Sequence, residues 1–338
     1  MSRSRAIIAG LSLMAALAQQ ARAEDFYKGK TISVVVGATP GGAFDIVARV
    51  LVRYLGKYIP GNPNVIVQNM PGAGSMTAVR YIASTAPKDG TVIGTFLPGI
   101  ITQSLVTPEK VSIDFKDVAW IGVTSGDLSR ICYGYGPKGV SSFGELMKLS
   151  QSRPFIMGTT GTGASNYING MALKDVLGAN IKVILGFPGS SEIRLAVERG
   201  ELDGDCGGIS SLPADWLPTK RIQPFVRFAE ERGPGVPQEA VYIKSLTKTS
   251  DQSRFLDFLF GADKLGRPFI ASKDIQVDRL ALLRTGFNAA MKDPQLRVDL
   301  EKLSESVQPL TGEAADQIYQ QMRTAPKDYI ERSRKYYD

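Results

Sequence analysis

The sequence predicts a two-lobed α/β protein, and three observations carry that reading. Short β-rich runs alternate with helical ones, the alternation comes in two series, and three glycine-rich turns each join a strand to a helix. At 338 residues the chain is long enough for about two domains, each with its own core.

The first 23 residues stand outside that pattern and read as a cleavable export signal. Arg3 and Arg5 give a positive start, Ala6 to Ala18 an apolar run, and Ala21-Arg22-Ala23 the small residues of a cleavage site. The run is 13 residues, short of the ~20 that a bilayer-spanning helix needs. The expected mature protein therefore starts near Glu24 and is soluble, periplasmic and not membrane-embedded. The first cysteine is Cys132, so none stands near the cleavage site to carry a lipid.

In the first series, Thr31 to Gly37 is a continuous apolar strand, followed by a helix from about Ala43 to Tyr58. Val47, Val50, Leu51, Tyr54, Leu55 and Tyr58 recur there at three- and four-residue spacing, with Arg49, Arg53 and Lys57 on a solvated face. Pro60-Gly61-Asn62-Pro63 stops the helix. Asn64 to Gln68 is the next strand, Ala73 to Ala83 a helix, Thr91 to Phe96 a strand, and Trp120 to Val123 a strand leading out of this unit. The second series has strands at Ile131–Tyr135, Pro154–Thr159, Ile181–Leu185, Leu202–Gly208 and Ile222–Phe228. Helices at Ser141–Ser150, Ala164–Leu177 and Ser190–Arg199 alternate with them. The remainder is mainly helical: Gln252–Phe260, Val277–Met291, Pro294–Leu303, and Gly312–Tyr337 interrupted at Pro326.

Composition removes whole classes of function. There is no histidine, which excludes Ser-His-Asp and Cys-His catalysis and histidine-ligated metal centres together. With the signal gone, Lys+Arg falls from 40 to 37 against 33 acids, and no basic run or aromatic stripe suits a nucleic acid. Cys132 and Cys206 are too few for a disulfide scaffold. They either pair in the oxidising compartment or remain lone buried thiols, the commoner state for cysteines in apolar strands.

The glycine turns are Gly37-Ala38-Thr39-Pro40-Gly41-Gly42, Pro71-Gly72-Ala73-Gly74-Ser75 and Thr159-Thr160-Gly161-Thr162-Gly163-Ala164-Ser165. Each alone is also what a tight strand-to-helix connection requires. Together they suit an anion, because glycine exposes backbone N–H groups and a helix N-terminus is positive. The first turn lacks the lysine and hydroxyl of a P-loop, and the Gly161-x-Gly163 pair lacks the third glycine and the acid of a dinucleotide site, so no cofactor is expected. A carboxylate fits better, held by N–H groups and by the hydroxyls of Thr39, Thr160, Thr162 and Ser165. Asp45 would repel an anion at its helix start, so it either caps backbone N–H groups, the favoured role, or receives a ligand hydroxyl or amine; Phe44 packs in the core or lines the cleft.

These residues resemble a known family. Asp25-x-Tyr27-x-Gly29-Lys30, Thr39-Pro40-Gly41-Gly42-x-x-Asp45, Gln68-Asn69-Met70-Pro71-Gly72-Ala73-Gly74, Ala86-Pro87-Lys88-Asp89-Gly90-Thr91, Gly158 to Ser165, Phe187-Pro188-Gly189 and Arg199-Gly200-Glu201-Leu202-Asp203 are similar to the extracytoplasmic solute receptors of tripartite tricarboxylate transporters, the Bug family. The resemblance implies a flytrap, the two-lobed periplasmic-binding-protein fold, with two hinge crossings. It places the first lobe at 24–123 and 231–338, with the C-terminal helices packed on it, and the second at 124–230. It also implies a carboxylated solute gripped by Thr39, Pro40, Gly41, Gly42, Phe44 and Asp45, by Asn69, Gly72, Ala73 and Gly74, by Thr160, Gly161, Thr162, Gly163, Ala164 and Ser165, and by Phe187, Pro188 and Gly189. Two positions depart from the family pattern: Phe187-Pro188-Gly189 stands where Tyr-Lys-Gly is usual, and Ala43 stands where Gly is common. The lost ammonium points to a ligand with fewer charges. The implied role is a monomeric, non-catalytic receptor for a small organic acid, delivering to the membrane subunits of a transporter or, alternatively, docking on a membrane sensor.

Overall fold

The structure is a computed structural model that describes residues 26–337 apart from 138, 210–211, 304 and 306; the export signal lies outside these residues. Two six-stranded mixed sheets organise the chain. The first has the order β12-β4-β11-β3-β1-β2, from β1 (Thr31–Val36), β2 (Asn64–Asn69), β3 (Val92–Thr95), β4 (Val118–Val123), β11 (Pro268–Ser272) and β12 (Leu310–Thr311). The second has the order β10-β9-β5-β8-β6-β7, from β5 (Ile131–Tyr135), β6 (Phe155–Gly158), β7 (Ile181–Ile184), β8 (Gly204–Asp205), β9 (Ile222–Arg227) and β10 (Val241–Tyr242). β1 runs parallel to β2 and β3, and β6 parallel to β7 and β8, so the carboxyl ends of each trio share one sheet edge.

Helices cover both faces of the first sheet. On one face α1 (Ala43–Leu55) buries Val47, Val50, Leu51 and Leu55 against Ile32, Val34 and Val36, its apolar stripe falling where helical periodicity puts it. On the other, Val35, Phe96, Phe115, Trp120 and Tyr319 form a core beneath α3 (Gly99–Val106) and α11 (Gly312–Arg323). The second sheet separates a core of Phe155, Met157, Phe225 and Phe255 from one of Tyr133, Ile193, Val197 and Trp216. That division follows the two-residue alternation of strand side chains.

Two crossings join the sheets, one through residues 124–130 and one through 260–267. They are tied to each other. Thr124 N donates to Arg267 O at 3.1 Å, Arg267 N to Ser125 O at 2.9 Å, and Asp127 N to Asp263 O at 2.8 Å. The buried Arg130 pairs with both Asp127, at 2.8 Å, and Asp263.

The second sheet extends past residue 230, where the sequence drew the lobe boundary: β10 pairs with β9, and α8 (Ser250–Leu259) packs Phe255 and Leu256 into the second core. The last helix departs from expectation too. α12 (Lys327–Arg334) does not rest on the first lobe alone, because Tyr329 meets Phe255 and Phe258 of α8 at 5.5 and 6.5 Å between ring centroids. Cys132 and Cys206 form a disulfide that ties β5 to the residue after β8, so they are not lone thiols.

Candidate functional site

The first glycine turn leaves the carboxyl end of β1 and opens α1. Gly41, at φ +78°, turns its N–H onto Asp45 Oδ2 at 2.8 Å. The same carboxylate accepts from Arg49 Nε at 2.9 Å and, through Oδ1, from Asn69 Nδ2 at 2.9 Å. Burial pushes the Asp45 carboxyl up, but bonds from Arg49, Gly41 and Asn69 outweigh it and hold the group below its usual range. Asp45 therefore caps, as the sequence reading expects. Asn69 also donates to Ala38 O at 3.0 Å, so its amide braces the turn. Phe44 lies half-buried under the guanidinium of Arg267, 4.3 Å from its ring centroid. Thr39, Pro40 and Gly41 are exposed at the tip.

The second turn is held in unusual backbone. Gly72, Ala73, Gly74 and Ser75 all have positive φ, so the α-helix starts at Met76, as α2 (Met76–Arg80), not at Ala73. The strained stretch places Ser75, which is 1% exposed and which sequence reasoning did not single out. Its Oγ donates to Gly37 O at 2.8 Å and accepts from Leu97 N at 3.0 Å, locking the ends of β1 and β3 together. Gly72, Ala73 and Gly74 are exposed above it.

In the second lobe, the turn after β6 opens α6 (Ser165–Asp175). Asn166 braces it, donating to Gly158 O at 3.0 Å and accepting from Thr159 Oγ1 at 2.8 Å. Thr160, Thr162 and Ser165 are exposed, and Gly161 and Ala164 are half-buried. Gly163 differs, because its N–H donates to Tyr336 O at 2.7 Å and is spent. Phe187 N donates to Thr159 O at 3.1 Å, and its ring lies so close to Gly158 that a Cβ there would fall 2.8 Å from Phe187 Cε2. Exposed Pro188 and half-buried Gly189 lead from it into α7 (Ser190–Glu198).

Each lobe thus gathers its own turns: the Thr39 and Gly72 turns through Asp45, Asn69 and Ser75, the Thr160 turn and Phe187 through Thr159. The lobes approach where a Cβ on Gly99 would lie 3.6 Å from Gly163 O. Asn166 also reaches Asp205 Oδ1 at 3.4 Å. Burial pushes that carboxyl up to about 6. A cavity of about 740 Å³ lies elsewhere, behind the hinge, lined by Asp127, Phe228, Tyr242, Phe260, Asp263 and Gln308 among others. The glycine turns line none of it, and exposed surface turns enclose little volume, so the turns and not this cavity are taken as the candidate site. Among the described residues no helix is long and apolar enough to cross a membrane, and no acid or cysteine cluster could hold a metal ion.

No family model matches the chain. It is 27% identical over 166 residues to the UPF0065 protein of the TAR-I ttuE-ttuC' intergenic region of Agrobacterium vitis, covering 48% of this chain and 47% of that one. It is 33% identical over 126 residues to protein BugT of Bordetella pertussis, covering 36% and 38%. The matched stretches span less than half the length of these relatives. In fold it is similar to the periplasmic binding protein BugD, with a TM-score of 0.69, 19% identity and coverage of 92% of this chain and 98% of that one. The chain is like the Bug proteins in sequence and in fold. MatC of Rhodopseudomonas palustris, solved with bound malate, gives 0.64 at 19% identity over 91% and 99% of the chains. The Bug-like body accounts for the two sheets and the two crossings; the disposition of Ser75, Asn166 and Tyr336 is read from this chain alone.

Proposed function

We propose that this chain is a periplasmic receptor that captures a small carboxylated organic acid between two lobes for a tripartite tricarboxylate-type transporter. The observation that carries the reading is the pair of strand edges. Glycine turns stand at the carboxyl ends of β1, β2 and β6, and each is braced from behind by a side chain that leaves the exposed tip unspent. Ligands of open α/β sheets bind at such edges. The exposed hydroxyls of Thr39, Thr160, Thr162 and Ser165, with backbone N–H groups, suit a two-oxygen anion. Relatives lend support: MatC was solved with malate and another Rhodopseudomonas palustris protein of this fold with adipate.

Lobe closure about the two tied crossings would bury the acid and create the surface a membrane subunit recognises. We assign the first lobe to the sheet of β1 and the second to the sheet of β5, joined at 124–130 and 260–267. The reading is binding without turnover. Calorimetric titration of the mature protein with mono-, di- and tricarboxylates tests it: micromolar or tighter binding of at least one acid is expected, and no heat from any of them would overturn it.

A further inference from the structure

The cavity of about 740 Å³ is walled by both lobes and by both crossings. Asp127 and Asp263 come from the crossings, Phe228 follows β9, Tyr242 ends β10, and Leu310 opens β12. Strand order fixes where that is. β12 is one edge of the first sheet and β10 one edge of the second, whereas the glycine turns follow β1, β2 and β6 toward the opposite edges. β4, β11 and β5, to which the crossings attach, lie between. The cavity and the glycine turns therefore stand on opposite sides of the hinge.

The volume is that of a small-molecule site, which is about 300–1,000 Å³. Part of the lining is aromatic and apolar: Phe228 and Phe260 meet edge to face at 5.3 Å between centroids, with buried Leu256 beside them. The charged lining leans negative. Five acids stand against two lysines, and counting Arg130 and Arg227, which bond to lining residues, still leaves the acids in excess. Lys244 is spent on Asp257 at 2.7 Å; Lys264 is exposed, as are Glu230 and Glu231. The hinge arginine leaves one carboxylate oxygen over. Asp127 accepts from Arg130 at Oδ2 and from Ser129 Oγ at Oδ1, 3.1 Å away. Asp263 accepts from Arg130 at Oδ1, and its Oδ2 has no hydrogen-bond donor among the described residues. Burial pushes the Asp263 carboxyl up to about 7, so an added cation would stabilise its ionised form.

We propose that this cavity is a second ligand site, for a small organic ammonium ion with an aromatic body, and that filling it opposes closure of the cleft. The ring packs on Phe228, Leu256 and Phe260, and the ammonium neutralises Asp263. Two lobes turning about a hinge part on one side as they close on the other. A ligand touching both cavity walls resists that parting. Gln308 and Glu231 already span the walls, Gln308 Nε2 donating to Glu231 Oε2 at 2.7 Å. The coupling rests on the carboxylate-receptor reading above; the site itself does not.

Phenethylammonium and its neutral counterpart 2-phenylethanol test the site, titrated calorimetrically at neutral pH into the mature protein and its Asp263→Asn and Gln308→Trp variants. Saturable binding of the ammonium is expected, about tenfold or more tighter than the alcohol. It weakens in Asp263→Asn, which loses the charge. It weakens further in Gln308→Trp, where an indole at an exposed lining position blocks the cavity without touching the core. No binding of the ammonium, equal binding of the alcohol, or ammonium binding unaltered in Gln308→Trp would each overturn the site. Should Asp263→Asn not fold, the alcohol still judges the charge and Gln308→Trp the place. The carboxylate giving the most heat in the panel is then titrated with and without saturating phenethylammonium. Its affinity falls several-fold; an unchanged or higher affinity overturns the coupling. If no carboxylate binds, the receptor reading and the coupling fall together, while the ammonium titration still decides the cavity.

Discussion

Ser75 stands so close to Gly37 that a Cβ on the glycine would fall 2.6 Å from Ser75 Cβ, and the serine hydroxyl closes the gap by donating to Gly37 O. The Ser75 hydroxyl oxygen also accepts from Leu97 N, so one small side chain sets the ends of β1 and β3. Ser75→Ala should cost about 1–3 kcal/mol, because it leaves two backbone groups without a partner in a buried place. Gly37→Ala should cost at least as much by displacing Ser75. Chemical denaturation measures both losses. If the pair also positions the first glycine turn, ligand affinity falls in both variants; unchanged stability in Ser75→Ala would show that water takes over the bonds.

Much of this fold was legible because its elements announce themselves locally. β1 buries Ile32, Val34, Val35 and Val36 since both faces are covered, and α1 follows the spacing of Val47, Val50, Leu51 and Leu55. What escaped was whatever depends on a partner far along the chain. The expected helix from Ala73 begins three residues late because Ser75 must reach Gly37, 38 residues away. The expected strand Leu202–Gly208 shrinks to Gly204–Asp205. A Cβ at Gly204 would lie 1.9 Å from Tyr133 O, an approach that no periodicity encodes. In the site, the turns were visible as glycine patterns, whereas Asn166 looks like an ordinary helix residue until its neighbours are known.

The hinge depends on Arg130. It is 5% exposed and holds Asp127 from one crossing and Asp263 from the other. Arg130→Met leaves two partly buried carboxylates, each 17% exposed, without the guanidinium that bridges them and should cost about 3–5 kcal/mol. Asp263→Ala should cost less, because Arg130 keeps Asp127. Replacing all three by apolar residues of similar volume should recover much of the loss. Equilibrium denaturation of the three variants checks the order; if Arg130→Met matches the unaltered protein, the ion pairs contribute nothing to the hinge.

Asp205 makes stability depend on pH with a sign opposite to most carboxylates. Burial raises its pKa to about 6 from the ordinary 3.8. Between those values the folded chain holds a proton that the unfolded chain releases, so stability falls as pH rises from about 4 to about 6 and is flat above. The loss has a ceiling of about 3 kcal/mol. Asp263, pushed up by burial, titrates in the same direction, so the comparison must be with Asp205→Asn. The variant should gain melting temperature over the unaltered protein as pH rises to 7. Parallel curves across that range would remove Asp205 as the cause.

The disulfide between Cys132 and Cys206 should be both stabilising and hard to reach. It closes a separation of 74 residues, and both cysteines are 0% exposed. Cross-linking that much chain restricts the unfolded ensemble, so the Cys132→Ala, Cys206→Ala double variant should lose about 2–4 kcal/mol in denaturation under oxidising conditions. Burial adds a kinetic consequence, because thiol–disulfide exchange needs a thiolate to approach a sulfur directly. Dithiothreitol should therefore leave the folded chain without titratable thiol over minutes, and expose two thiols once denaturant is added. Rapid labelling of the native protein after reduction would show instead that the second sheet opens around β5 and β8 without global unfolding, and the stabilisation would then belong to that local event.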